Sequence, residues 1–220
     1  MAEKKLKRGL FITFEGPEGS GKSTHSRLIK DFLSREGYEV IYTREPGGTG
    51  VGDKIRSVLL NSKRTKISAL AETLLFEASR AELVKEVIRP ALKKRKIVIS
   101  DRFNDATLAY QGYAGHIPLG DIKAVERVSM QGVKPDLTII LDINAKAGLG
   151  KIKRGKRDRM ESKKLSFHEK VRLGYIALAK ADKKRIKLIK TRTRKSDTFE
   201  DVKCEVMNVV RRYKRTGQGR

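Results

Sequence analysis

The chain has 220 residues, 38% of them apolar and 35% charged, a balance that suits one globular domain with a single core under a densely charged surface. No apolar run approaches the roughly 20 residues of a membrane span, and the basic start MAEKKLKRGL lacks a signal peptide's apolar stretch, so a soluble, cytoplasmic protein without a membrane partner is expected. The net charge of +25 is uneven, with 26 Lys+Arg against 18 Asp+Glu over residues 1–150 and 25 against 8 over residues 151–220; such a tail would bind nucleic acid through its phosphates or steer a polyanionic small substrate, and charge alone does not choose.

The first predicted element is a strand, Leu10–Glu15 (LFITFE), followed by a glycine-rich turn and a helix over Lys22–Arg35 with apolar residues at Leu28, Ile29, Phe32 and Leu33. Turn and helix start read GPEGSGKST, supplied by Gly16, Pro17, Glu18, Gly19, Ser20, Gly21, Lys22, Ser23 and Thr24, and match GxxxxGK[ST]. Glycines let backbone N–H groups close on phosphates, and the helix points its positive end at the same anion. Lys22 adds a point charge on the outer phosphates, and Ser23 a hydroxyl for a magnesium ion. At ordinary residue frequencies an accidental match in such a chain is rare, about one in a hundred. ATP and Mg2+ are the expected cofactors.

Further strands are predicted at Glu39–Thr43, Ile97–Ser100, Leu137–Leu141 and Ile186–Ile189, with a long helix over Ala69–Lys93 and a mobile insert near residues 150–165. Unalternating apolar strands separated by helices give an α/β fold: five parallel strands wrapped by helices on both faces, in one domain over 1–220. Cys204, the only cysteine, falls in the last helical pattern and reads as half-buried; it permits no intrachain disulfide. A GTPase would carry an NKxD-like motif, which is missing here. A kinase needs a second anion site, and Arg56, Arg80 and Arg102 are suitably placed cations.

The motifs FEGPEGSGKST (14–24), TREPGGT (43–49), LLFEASR (74–80), DRF (101–103), TLAYQG (107–112), KPDLTIILD (134–142), RDRME (157–161) and FHEKVRLGY (167–175) stand in one order over nearly the whole chain. Together they resemble the thymidylate kinases. The resemblance implies the P-loop kinase fold with a short mobile lid at about 150–162, transfer of the ATP γ-phosphoryl group to dTMP, magnesium, and a homodimer. It implies that Arg56 and Arg102 hold the acceptor's 5′-phosphate, that Phe76 stacks on thymine, and that Arg80 and Gln111 read the base edge. Tyr110 would pack beneath the sugar and Thr107 line the pocket. Glu18 would contact the acceptor's sugar hydroxyl or an arginine beside it, and Asp101 would hold magnesium through water or orient Arg102.

Gly19 stands where some members of that family place an arginine on the transferring phosphoryl group. The cation is then expected from the lid, with Arg154, Arg157 and Arg159 as candidates and Arg159 the best match to the RDRME pattern. Ala106 replaces the family's usual serine, and KTRTRKS follows the fifth strand where a small or acidic stretch is usual. A kinase for another monophosphate or a deoxynucleoside, and a nucleic-acid-binding P-loop ATPase, therefore stay open at this stage. Nucleic acid is not the expected partner.

Overall fold

The computed structural model describes residues 4–61, 66–152 and 158–214. Five strands, β1 (Leu10–Glu15), β2 (Val40–Arg44), β3 (Ile97–Asp101), β4 (Leu137–Asp142) and β5 (Ile186–Lys190), pair in parallel in the order β2-β3-β1-β4-β5. Each predicted strand is found, and β3, β4 and β5 each run one residue beyond the apolar pattern, so that Asp101 and Asp142 close their strands.

Both faces of β1 are buried, and its side chains alternate between two cores. Leu10, Ile12 and Phe14 meet Ile29 and Leu33 of α1 (Lys22–Arg35) and Val202, Val206 and Val209 of α9 (Lys195–Tyr213). Phe11 faces the opposite way, onto Leu83, Val84, Ile88 and Phe103. A strand sandwiched in this manner reads as an unbroken apolar run. On that second face lie α2 (Gly50–Asn61), α3 (Ala69–Leu83), α6 (Leu119–Ser129) and α8 (Leu165–Ala181). Short helices α4 (Arg89–Lys93), α5 (Asn104–Thr107) and α7 (Ala145–Gly150) complete the set among the described residues.

The helix expected over Ala69–Lys93 is continuous, but Val84–Ile88 is π-helical, and the N–H of Arg89 reaches back to the carbonyl of Val84. Pro90 explains the widening: it has no N–H to give and its ring crowds the preceding turn, which a π turn accommodates. A second π-helical stretch, Leu108–Ala114, buries Tyr110 and Gln111. Cys204 is exposed on α9, contrary to the half-buried reading, because Val202, Val206 and Val209 define the buried face and residue 204 lies off it.

At the start of β4 and β5, Asp105 of α5 is fully buried and held by Arg185 through Nη1 at 2.6 Å and Nη2 at 2.9 Å. Thr138 donates to the same carboxylate and meets Thr13 at 2.7 Å, tying α5 to β1 and β4. Breaking a buried pair strands its remaining charge. Arg185→Ala is therefore expected to lower stability by about 3–5 kcal/mol in urea denaturation, with the loss reduced when Asp105→Asn accompanies it.

Candidate active site

β1 ends at Glu15 and α1 begins at Lys22, and the glycine-rich loop between them sits at the carboxyl end of the sheet beside β3 and β4. This is where the chain's course across the sheet reverses, the usual crevice of a doubly wound fold. The first turn of α1 has no acidic residue, so nothing offsets the helix's positive end. Gly19 adopts φ +69°, and a Cβ there would lie 2.0 Å from the carbonyl oxygen of Gly148 in α7. A Cβ on Gly148 would in turn come within 2.1 Å of the Glu18 carbonyl oxygen. The two backbones touch, leaving no room for an arginine at position 19.

Two cavities open over this loop. One is lined by Arg56, Phe76, Arg80, Arg102, Thr107, Tyr110 and Gln111, so all seven expected acceptor residues share it, together with Ala106. The other is lined by Gly19 to Thr24, the segment Thr191–Thr193 after β5, Lys151 and Ile152. They meet at Glu18, Lys22, Ser23 and Glu161, which border both. Gly16 and Pro17 border neither; Gly16, at φ +139°, lies with its Cα hydrogen against the carbonyl of Leu141 and shapes the loop from below.

Arg102 stands at the junction in the left-handed region, φ +73°, an unfavourable conformation for an arginine that its surroundings must hold. Its Nη2 donates to Glu18 at 2.7 Å and to the Tyr110 hydroxyl at 3.1 Å, and its Nη1 donates to the Tyr175 hydroxyl at 3.2 Å. The guanidinium also lies over the Tyr110 ring, 4.9 Å from its centroid. Glu18 thus has its compensating cation, and Lys22 Nζ adds a second at 3.4 Å. Burial opposes ionisation of Glu18, but Arg102, Lys22 and the Tyr110 hydrogen bond outweigh it and hold its carboxyl down at about 2. Arg56 is anchored by the Pro46 carbonyl at 2.8 Å, and burial next to Arg44 lowers its proton affinity.

Other expected roles change. Arg80 is fully buried, and its donors go to Glu45, Glu77 and Thr107, leaving one N–H on Nη1 for a base edge. Gln111 donates to Glu72 at 2.8 Å, which leaves its carbonyl oxygen and its second N–H uncommitted among the described contacts. Arg159 borders neither cavity: its Nε donates to the Leu59 carbonyl at 2.7 Å and its Nη2 to Glu72. The buried carboxylate of Glu72, in the first turn of α3, draws that guanidinium away from the phosphate loop. Arg154 and Arg157 lie outside the described residues.

Glu72 escaped the sequence reading because one acid in a helical pattern carries no motif. Arg27, Arg44, Asp158 and Glu161 also line the acceptor cavity without having been singled out. Asp158 and Glu161 exchange backbone-to-carboxylate bonds of 3.0 and 2.8 Å, fixing the end of the expected lid.

The residues fit a magnesium ion in one respect. Asp101 Oδ1 is buried without a hydrogen-bond partner among the described residues, and Asp101 shares its cavity with Ser23. An orphaned carboxylate oxygen beside a hydroxyl suits a hard cation.

A family model described as thymidylate kinase matches residues 14–202. The thymidylate kinase of Clostridium novyi (strain NT) is 42% identical over 201 residues, covering 90% of this chain and 98% of the relative. That of Thermoanaerobacter sp. (strain X514) is 41% identical over 208 residues, covering 94% and 99%. The crystal structure of thymidylate kinase from Ehrlichia chaffeensis superposes with a TM-score of 0.74 at 33% identity, covering 90% of this chain and 99% of that one.

Behind Arg80 lies a cluster of buried acids. Burial, with Arg80 only partly offsetting it, pushes Glu45 up to about 7. Burial reinforced by Glu77 pushes Glu126 up to about 8, and Glu126 Oε1 finds no partner among the described residues. The folded state therefore holds protons that the unfolded state has released. The stability each acid contributes is complete below its ordinary value of 4.5 and is lost as pH rises through about 7 for Glu45 and about 8 for Glu126. The thermal midpoint is expected to fall between about pH 5 and about pH 8, and Glu126→Gln to flatten that fall in calorimetry.

Proposed function

The chain belongs to the thymidylate kinase family and phosphorylates dTMP to dTDP, and we propose that the γ-phosphoryl group of ATP crosses where the two cavities meet, at Lys22. The observation that carries this reading is the joining of a phosphate-loop cavity to one holding Phe76, Arg56 and Arg102 through a shared border of Glu18, Lys22 and Ser23.

The acceptor is a phosphate monoester whose second pKa is about 6, so it arrives near pH 7 as a dianion and needs no general base. The protein's work is to bring two anions into line and offset the charge that develops between them. Arg56 and Arg102 would hold the acceptor's phosphate, Lys22 the outer phosphates of ATP, and Phe76 the thymine face. Arg80's remaining N–H would donate to the 4-oxo group of thymine; the amino group of cytosine would leave it unpaired. Thr107 supports that readout by accepting from Arg80 Nη2 at 3.0 Å. Glu18 and Tyr110 orient Arg102. Ser23 and Asp101 would hold magnesium, which when bound would supply positive charge to the phosphates.

With no side chain at Gly19 and Arg159 committed to Glu72, Arg154 and Arg157 are the remaining lid arginines that would approach the transferring group, beside Lys151, which lines the phosphate-loop cavity. The whole chain acts as one kinase domain, with about 150–162 as its lid. No helix among the described residues is long and apolar enough to cross a membrane, and we place the enzyme in the cytoplasm, where its nucleotide substrates are. A homodimer is supported by apolar side chains left exposed on neighbouring helices: Val51 and Val58 on α2, Leu70 and Leu74 on α3, and Val128 on α6.

In a coupled ADP-release assay across dTMP, dUMP, dCMP, UMP, CMP, AMP, GMP and thymidine, dTMP is expected to be the best acceptor; a poor result with dTMP overturns the assignment. Phe76→Ala is expected to raise the KM for dTMP roughly ten- to a hundredfold, the value of one lost stacking contact, while leaving the KM for ATP nearly unchanged. Equal losses on both ligands would point to misfolding. In sedimentation, Leu74→Glu is expected to convert the dimer to monomer by burying a carboxylate in the interface.

A further inference from the structure

Glu15 closes β1 with a fully buried carboxylate, and nothing in the phosphate-binding pattern calls for an acid at that position. Its two oxygens have different partners. Oε1 accepts the backbone N–H of Phe103 at 2.7 Å, and Oε2 accepts the hydroxyl of Tyr175, from α8, also at 2.7 Å. Both partners adjoin Arg102: Phe103 follows it in the chain, and the Tyr175 oxygen accepts from Arg102 Nη1 at 3.2 Å. The N–H of Arg102 itself donates to the Phe14 carbonyl at 2.9 Å. The end of β1 therefore grips the peptide on each side of the left-handed residue, and through Tyr175 one end of its guanidinium. The other end has a matching arrangement, in which Tyr110 accepts from Nη2 and donates to Glu18 at 2.7 Å.

We propose that Glu15, acting through Tyr175, is the positioning residue that sets the backbone and guanidinium of Arg102 for the acceptor's phosphate, an inference that rests on Arg102 being the residue that binds that phosphate. The intervening hydroxyl matters chemically. A carboxylate placed directly on Nη1 would compete with the phosphate for charge and for N–H bonds. A tyrosine whose single proton is committed to Glu15 offers only its oxygen, which fixes the direction of the guanidinium without an ionic contact at that end. The relay runs one way, from Arg102 to Tyr175 to Glu15, and its rigidity is part of what holds Arg102 at φ +73°.

The test compares Tyr175→Phe, which removes only the hydroxyl, with Glu15→Gln, whose amide nitrogen would donate towards Tyr175 and contest its oxygen with Arg102. For Tyr175→Phe the KM for dTMP is expected to rise about tenfold while the KM for ATP stays within about twofold, the measure of one hydrogen bond to a charged group. Glu15→Gln is expected to act in the same direction, and the double variant to be no worse than the more severe single, because both belong to one relay. Should Glu15→Gln fail to fold, Tyr175→Phe with an unchanged near-ultraviolet circular dichroism spectrum decides alone. An unchanged KM for dTMP in Tyr175→Phe, or equal rises for both substrates, overturns the inference while leaving the kinase activity standing. A wild-type enzyme that does not turn over dTMP would overturn the acceptor assignment and the inference with it.

Discussion

An anion-binding loop that carries its own carboxylate is workable only if cations neutralise that carboxylate, and the arrangement of the site follows from how Glu18 is neutralised. Arg102 approaches it from the end of β3 and Lys22 from the first turn of α1, at 2.7 and 3.4 Å. The pair joins the phosphate loop to the segment after β3. Tyr110 and Tyr175 then tie α8 and the second π-helical stretch to the same guanidinium. Glu18 holds Arg102 at the junction of the two cavities.

The basic composition is a poor guide to which cations are available for chemistry. Arg80, Arg159 and Arg185 are each claimed by carboxylates, Glu45 and Glu77, Glu72, and Asp105 respectively. These arginines organise the pocket wall, the end of the lid segment and the floor of the sheet. Arg56, held by a carbonyl instead of an acid, keeps its charge for a ligand, and Arg27 and Arg44 add to the same cavity. A buried guanidinium with several acid partners is a structural part, whereas one with a single acid and two hydroxyls, as at Arg102, retains freedom to bind an anion.

The close approach of Gly19 and Gly148 has a similar logic. Because the two backbones touch, α7 and the chain leading into residues 150–162 start from a fixed point against the phosphate loop.

The sequence by itself determined the strands, the phosphate loop, the family and seven of the residues that line one cavity. Apolar runs flanked by glycines are local signals, and the glycine spacing of GPEGSGKST marks an anion-binding loop without reference to the rest of the fold. What each polar side chain does there was decided by the tertiary structure. Arg159 matches a family pattern yet bonds Glu72, and Arg80 reads as free until Glu45 and Glu77 are seen around it, because a guanidinium goes to whichever carboxylate the fold buries beside it. Glu45 and Glu72 lie far from their partners in the chain, and Glu77, three residues before Arg80 on the same helix, shows its pairing only where the fold buries both. The left-handed Arg102 and the relay from Glu15 are likewise absent from local sequence, since the strain is held by contacts from β1 and α8 that exist only once the sheet has closed.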